Sequence, residues 1–193
     1  MNKNPQPRRV VARHNKRSYF ISSPTNAHTV QRILLSVLAS MQGGRWLHWT
    51  HHWKVKGDSF VGDHDLFLRL YQLWTDDIDT LAEKIVAMFG PDCIDGHNIL
   101  AASHEHISRF KGLDCLHLTS LAIEEDFQVT LKTMYDVLKS MNALSLGMDD
   151  FIMSMANKHE AYIYQLQQRV ADDSGRAGIE KPPYDFSLVG EPK

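Results

Sequence analysis

The sequence predicts an all-α domain: a bundle of four long amphipathic helices, with a long connection between the second and third that holds a short extra helix. Three observations lead there. Apolar residues recur at three- and four-residue spacing through four separate stretches, and nowhere does a run of any length alternate as a strand would. At 193 residues the chain has the length of one domain with extensions at both ends.

Residues 1–24 lack periodic apolar spacing and contain Pro5, Pro7 and Pro24, so they read as a flexible arm. From Asn26, a suitable N-cap, Val30, Ile33, Leu34, Val37, Leu38 and Met41 share one helical face, and the helix should run to about Lys56 before Gly57 stops it. Gly43 and Gly44 fall inside it, each costing roughly 1 kcal/mol relative to alanine, which predicts close packing or a kink. The second helix starts near Gly62 and carries Phe67, Leu70, Tyr71, Trp74, Ile78, Leu81, Ile85 and Phe89 before Gly90-Pro91. A connection over 91–113 holds a short helix at about 97–109. The third helix, about 114–141, shows Leu116, Ile123, Phe127, Leu131, Met134, Leu138 and Met141. The fourth, about 148–170, shows Ile152, Met155, Ala156, His159, Ile163 and Leu166. Residues 171–193, with Gly175, Gly178, Pro182 and Pro183, read as a second tail, leaving residues 25–170 as the bundle. Helices two and three must lie parallel, so the chain travels the length of the bundle between them. That is the ferritin-like topology.

An apolar fraction of 43% with 23% charged residues suits a soluble globular domain. No apolar run approaches 18 residues, so no membrane partner is expected. The basic start is followed only by "YFIS", too short for a signal-peptide core, and Cys93 and Cys115 form no framework or CxxC motif. The expectation is a cytoplasmic protein with ordinary thiols. The net charge of −2 hides an asymmetry: residues 1–57 carry ten basic and no acidic residues, whereas the remainder carries 11 basic and 23 acidic ones. This pattern suits a basic arm on an acidic body.

The stretch "LHWTHHWKVKGDSF" places His48, His51 and His52 within five positions, a density that points to metal. Bundles of this topology often hold two irons inside one subunit through paired Glu-x-x-His motifs. Here the residues three positions after Glu83, Glu105, Glu124, Glu125 and Glu160 are Val86, Ser108, Phe127, Gln128 and Ile163, so that arrangement is not expected. Asp79 and Glu83 share a face of the second helix, His64 begins it and His52 nears the end of the first. Fifteen helical residues separate His64 from Asp79, about 22 Å at 1.5 Å per residue, too far for one ion held by bonds of about 2 Å. Two chains paired antiparallel about a two-fold axis would bring them together, making the site a property of a dimer.

His52-Trp53, Lys56-Gly57, Phe60, His64, Tyr71 and the run "DTLAEK" from Asp79 to Lys84 resemble the Dps family, the DNA-protecting mini-ferritins, over about residues 26–170. The family pattern of His-Trp, a second His twelve residues on, then Asp-x-x-x-Glu, is met at His52, His64, Asp79 and Glu83. The resemblance implies a hollow homo-dodecamer with ferroxidase sites at two-fold interfaces, oxidising Fe(II) with hydrogen peroxide and storing the ferric mineral. His52, His64, Asp79 and Glu83 would bind iron, a mixed imidazole and carboxylate set that suits Fe(II) and would also accept zinc. Trp53 adjoins the site, either to intercept a stray oxidising equivalent or to pack an interface. Where many members carry a carboxylate four residues after the second His, this chain has Leu68, so the second iron would be held weakly or through water. Asp63 and Asp65 each point about 100° away from His64.

The other histidines divide. His48, one turn before His52, could extend the ligand set; His51 is expected in solvent or at an interface; His159 reads as a core histidine; His104 and His106 read as surface residues open to zinc. In the arm, Lys3, Arg8, Arg9, Arg13, Lys16 and Arg17 would contact DNA phosphates without sequence preference, with nucleoid association as the consequence. By the same resemblance Asp149 and Asp150 fall where acids line three-fold iron pores, although acids at a helix start also suit its dipole. The alternatives are an architectural DNA-packaging cage with weak or lost ferroxidase activity, and a zinc-holding shell.

Overall fold

The computed structural model describes residues 24–112 and 115–177. They form α1 (Pro24–Lys54), α2 (Phe60–Phe89), a 3₁₀ turn (Pro91–Cys93), α3 (Gly96–Ser108), α4 (Leu116–Ser140) and α5 (Leu146–Ala177). Helices α1, α2, α4 and α5 are the four of the bundle, and α3 is the short helix of the crossover. No strand occurs among the described residues.

The boundaries move at several ends, each for a local reason. Proline is tolerated at a first helical position because its missing N–H would be unpaired there anyway, so α1 starts at Pro24, ahead of Asn26. Gly57, at φ 91°, turns the chain and its carbonyl accepts from Phe60 N–H at 3.0 Å, starting α2 two residues before Gly62. Gly90 closes α2 at φ 89°, donating its N–H to Val86 O at 2.8 Å. Asp95 caps α3 by accepting from the amides of His97 and Asn98. Helix α5 continues beyond residue 170 to Ala177; no breaker precedes Gly175. Residues 1–23 and 178–193, which include all six basic residues assigned to the arm, lie outside the described residues.

Short connections at 55–59 and 141–145 fold α1 against α2 and α4 against α5, while α1 also packs on α3 and α4. At the two α1 glycines the structure chooses close packing. A Cβ on Gly43 would lie 2.8 Å from Ile107 Cγ2 and 3.0 Å from Ser103 O of α3; one on Gly44 would lie 2.7 Å from the Trp74 ring of α2. Two elements, α2 and α3, therefore meet α1 at backbone distance.

The interior divides into two apolar clusters. The larger gathers Val30, Leu34, Leu38 and Met41 with Trp74, Leu81, Ile85, Phe127, Met134 and Met155. The smaller gathers Val55, Leu66, Phe67, Leu70, Leu121, Leu166 and Val170. A layer of buried polar side chains lies at their boundary: His48, His51, Asp77, Ser120, Glu124 and His159.

Candidate metal centre

The short turn after α1 brings His52 and His64 together, with ring centroids 3.8 Å apart and planes tilted by 39°. His52 Nδ1–H donates to the His64 carbonyl at 3.0 Å. A carbonyl can only accept, so in the neutral ring this bond fixes the tautomer with the lone pair on Nε2, the form in which imidazole binds a metal. Phe60 lies 5.1 Å from the His64 ring and Tyr71 5.5 Å from that of His52. Asp63, beside His64, is buried and held by Arg169 of α5 through bonds of 2.8 and 3.1 Å, which pins the start of α2 to α5.

Asp79 and Glu83 stand exposed further along α2, Asp79 on a groove of ≈ 680 Å³ lined also by Gln42, Arg45, Thr75 and Asp76. The structure brings the two histidines together and does not bring the carboxylates to them. Among the described residues, no three His, Cys, Asp or Glu side chains of one chain are placed to hold a metal ion. Beside the histidine pair, Trp46, Trp49 and Trp53 pack together at centroid distances of 5.0–5.9 Å, and Trp53 is 58% exposed.

His48 and His51 turn away from this pair. Both ring nitrogens of His48 are engaged inside the bundle, Nδ1 with Ser120 Oγ at 3.1 Å and Nε2 with Glu124 Oε1 at 2.9 Å, so it does not extend the His52 ligand set. His51 is buried rather than solvated, its Nδ1 2.7 Å from Ser120 Oγ. Burial first, then the neighbouring His48, Lys54 and His117, lower its pKa to about 3. The physical reason is rotation along α1: His48 and His51, four and one positions before His52, are turned about 40° and 100° from it to the same side of the helix, the side that faces inward, while His52 sits at the rim.

His159 is a core histidine as its place on the apolar stripe suggested. It contacts Glu124 Oε2 at 2.5 Å and faces Asp77 Oδ2 at 3.6 Å; Lys158 binds the other oxygen of Asp77 at 2.7 Å. Trp74 Nε1 donates to Glu124 at 2.8 Å. Burial would raise the Glu124 pKa, but the charge of His159 and hydrogen bonds from His159 and His48 bring it down to about 2. This layer escaped the sequence reading. An i,i+3 search around Glu124 interrogates one helix, whereas its partners come from three others.

The remaining candidates are peripheral. Asp149 lies in the first turn of α5 and Asp150 beside it is exposed. His104 is exposed, and His106 contacts Arg109 and has its pKa lowered to about 4 by burial and that cation; the guanidinium charge beside the ring does not favour a shared zinc. Cys93 and Cys115 are free.

No family model matches the chain, and no curated protein does. Solved structures do. Dps from Microbacterium arborescens in its high-iron form is 21% identical, with 79% of this chain covering 99% of that one at a TM-score of 0.64. The chain has the Dps fold. Dps from Vibrio cholerae, described as a member of a broad superfamily of ferritin-like diiron-carboxylate proteins, matches at 16% identity over 76% of this chain and 91% of its own, TM-score 0.64. An archaeal Dps homologue from Halobacterium salinarum matches at 14% identity over 92% of this chain and 99% of its own, TM-score 0.64. At these identities the likeness is one of fold. No helix among the described residues is long and apolar enough to cross a membrane.

Proposed function

We propose that the chain is a Dps-type ferroxidase and iron-storage protein whose oxidation sites are completed between two copies. The observation that carries this reading is the His52–His64 pair, with the His52 Nδ1–H held by the His64 carbonyl, which in the neutral ring puts the lone pair on Nε2 for use as a ligand. Asp79 and Glu83 supply the carboxylates from the second copy's α2, because within one chain they are too far along the helix. Fe(II) is the substrate. Two Fe(II) ions give one electron each to hydrogen peroxide, which takes up two protons and leaves as two waters, so no hydroxyl radical is released. Carboxylate ligands favour the ferric product.

The exposed Trp53 and Trp46 are supporting observations: a second copy docking there would cover them while closing the site. Twelve such copies would form the storage cage, with Asp149 and Asp150 at the iron pores. The basic residues from Lys3 to Arg17 would bind DNA through phosphate contacts. A second reading, a DNA-packaging cage with weak oxidation, is favoured by one feature: Leu68 stands where a further carboxylate would help hold the second iron.

Mixing two inactive variants tests the shared site. One parent carries His52→Ala/His64→Ala, the other Asp79→Ala/Glu83→Ala, and the two are dissociated and reassembled together. Half of randomly formed dimers contain one of each, and each of these has one intact site of two. About a quarter of wild-type peroxide-driven Fe(II) oxidation should return. Cages that assemble yet stay inactive would refute the intersubunit site, and a wild-type protein unable to oxidise Fe(II) with peroxide would leave the packaging cage.

A further inference from the structure

The polar layer inside the bundle is not used by the proposed chemistry. Each bundle helix contributes to it: His48 and His51 from α1, Asp77 from α2, Ser120 and Glu124 from α4, and Lys158 and His159 from α5. His48, Asp77, Glu124 and His159 are each at most 2% exposed.

A charge count decides the state of this layer. His159 hydrogen-bonds Glu124 through Nδ1 and faces Asp77 with Nε2 at the ion-pair distance of 3.6 Å, a carboxylate on each side of one ring. A neutral imidazole would compensate neither charge; an imidazolium lies between both. Glu124 also receives Trp74 Nε1–H, and His48 Nε2 stands 2.9 Å from the same oxygen, surroundings that suit an ionised carboxylate. Asp77 is balanced on its outer side by Lys158, whose side chain is 41% exposed. Ser120 bridges the two α1 histidines: its hydroxyl can give a proton to one ring and accept from the other, so single protons on His48 and His51 suffice. Two carboxylates and two cations then cancel. Without the second proton on His159, Glu124 and Asp77 would leave uncompensated charge in a dry interior, which is costly.

We infer that His159 is an alkaline latch: a doubly protonated ring that ties α5 to α2 through Asp77 and to α4 through Glu124, and releases them when its second proton is withdrawn. The ties act where α2 also meets α1, since Trp74 lies against Gly44 and binds Glu124. Opening the latch therefore loosens the four-helix junction as a unit.

Burial by itself would lower the His159 pKa, but the charge of Glu124 and hydrogen bonds to Asp77 and Glu124 override it and raise the value to about 9. Charged or titratable groups facing the ring are Glu124 on α4, Asp77 on α2, His48 on α1 and the neighbouring Lys158 on α5. A folded-state value above the ordinary 6.5 stabilises the fold fully below pH 6.5, and that stability is lost as the pH rises through about 9. A rise from 6.5 to about 9 corresponds to a loss on the order of 300-fold in the folding equilibrium constant.

The test is urea unfolding of the full chain between pH 6 and 10.5, at one protein concentration. Wild type should lose on the order of 300-fold in folding equilibrium across that range beyond what His159→Gln loses. Two further variants make the result independent of whether His159→Gln folds. Glu124→Gln removes the main charge that holds the proton, so the alkaline midpoint moves to lower pH. Lys158→Gln removes a like charge near the ring, so the midpoint moves to higher pH. Opposite shifts establish the latch. Alkaline profiles that coincide for wild type, Lys158→Gln and whichever core variant folds would overturn it.

Discussion

Alanine at Gly44 adds one methyl group at the most crowded point of α1. Its Cβ would stand 2.7 Å from Trp74 Cη2 and 2.8 Å from Cζ3, distances that real contacts do not reach. The indole has little freedom to withdraw, because Nε1 is bonded to Glu124 at 2.8 Å and its faces meet Phe127 at 4.5 Å and His159 at 5.1 Å. Overpacking of this kind costs about 1–3 kcal/mol. Against it stands the backbone gain of alanine over glycine in a helix, about 0.5–1 kcal/mol. The net expectation is a loss of about 0–2.5 kcal/mol from these two effects. Gly62 is the internal control: it lies in α2 with nothing within 4 Å of a built Cβ, so Gly62→Ala should show the gain alone. The two variants should differ by about 1–3 kcal/mol, read as a difference in urea midpoint at equal slope. Equal stabilisation by both would show that Trp74 moves freely, and the argument for a backbone-distance contact would fall.

Two further outcomes are expected, one from the Arg169–Asp63 pair and one from the charge of the arm. Arg169→Met should cost about 3 kcal/mol in urea unfolding, since it leaves the buried carboxylate of Asp63 with only His117 Nε2, at 3.4 Å, beside it, and a change under about 0.5 kcal/mol would mean that His117 compensates the charge. Deleting residues 1–17 should abolish the DNA gel shift while sparing assembly and Fe(II) oxidation. In the full chain, six phosphate contacts predict that log affinity falls with log salt at a slope of about −5, and a flat dependence would exclude the arm as the DNA contact.

Much of the fold was legible in the one-dimensional pattern. The three- and four-residue spacing of Val30, Leu34, Val37 and Met41, or of Phe127, Leu131, Met134 and Leu138, marks a buried face because a helix repeats every 3.6 residues, and all eight are buried. The spacing of His52, His64, Asp79 and Glu83 was legible too, and so was the fact that one helix cannot bring its two ends together. Helix limits were less so: Pro24 and the run to Ala177 depend on which backbone groups find partners, not on apolar period.

Only the tertiary structure decided what the histidines do. His48, His51 and His52 are equivalent as letters, yet two point into the bundle and one to its rim, because the direction of each depends on how α1 is rotated against α2 and α4. The crowding of Gly43 and Gly44 resolved into packing against α3 and Trp74, not a kink. The polar layer is the clearest case. Asp77, Glu124 and His159 are separated by 47 and 35 positions, and no local pattern joins them. Sequence periodicity reports which face of a helix avoids water; it carries no information about which polar groups on four different helices meet at one level of the bundle. That is settled by axial register, which short connections and close contacts such as Gly44 on Trp74 set together.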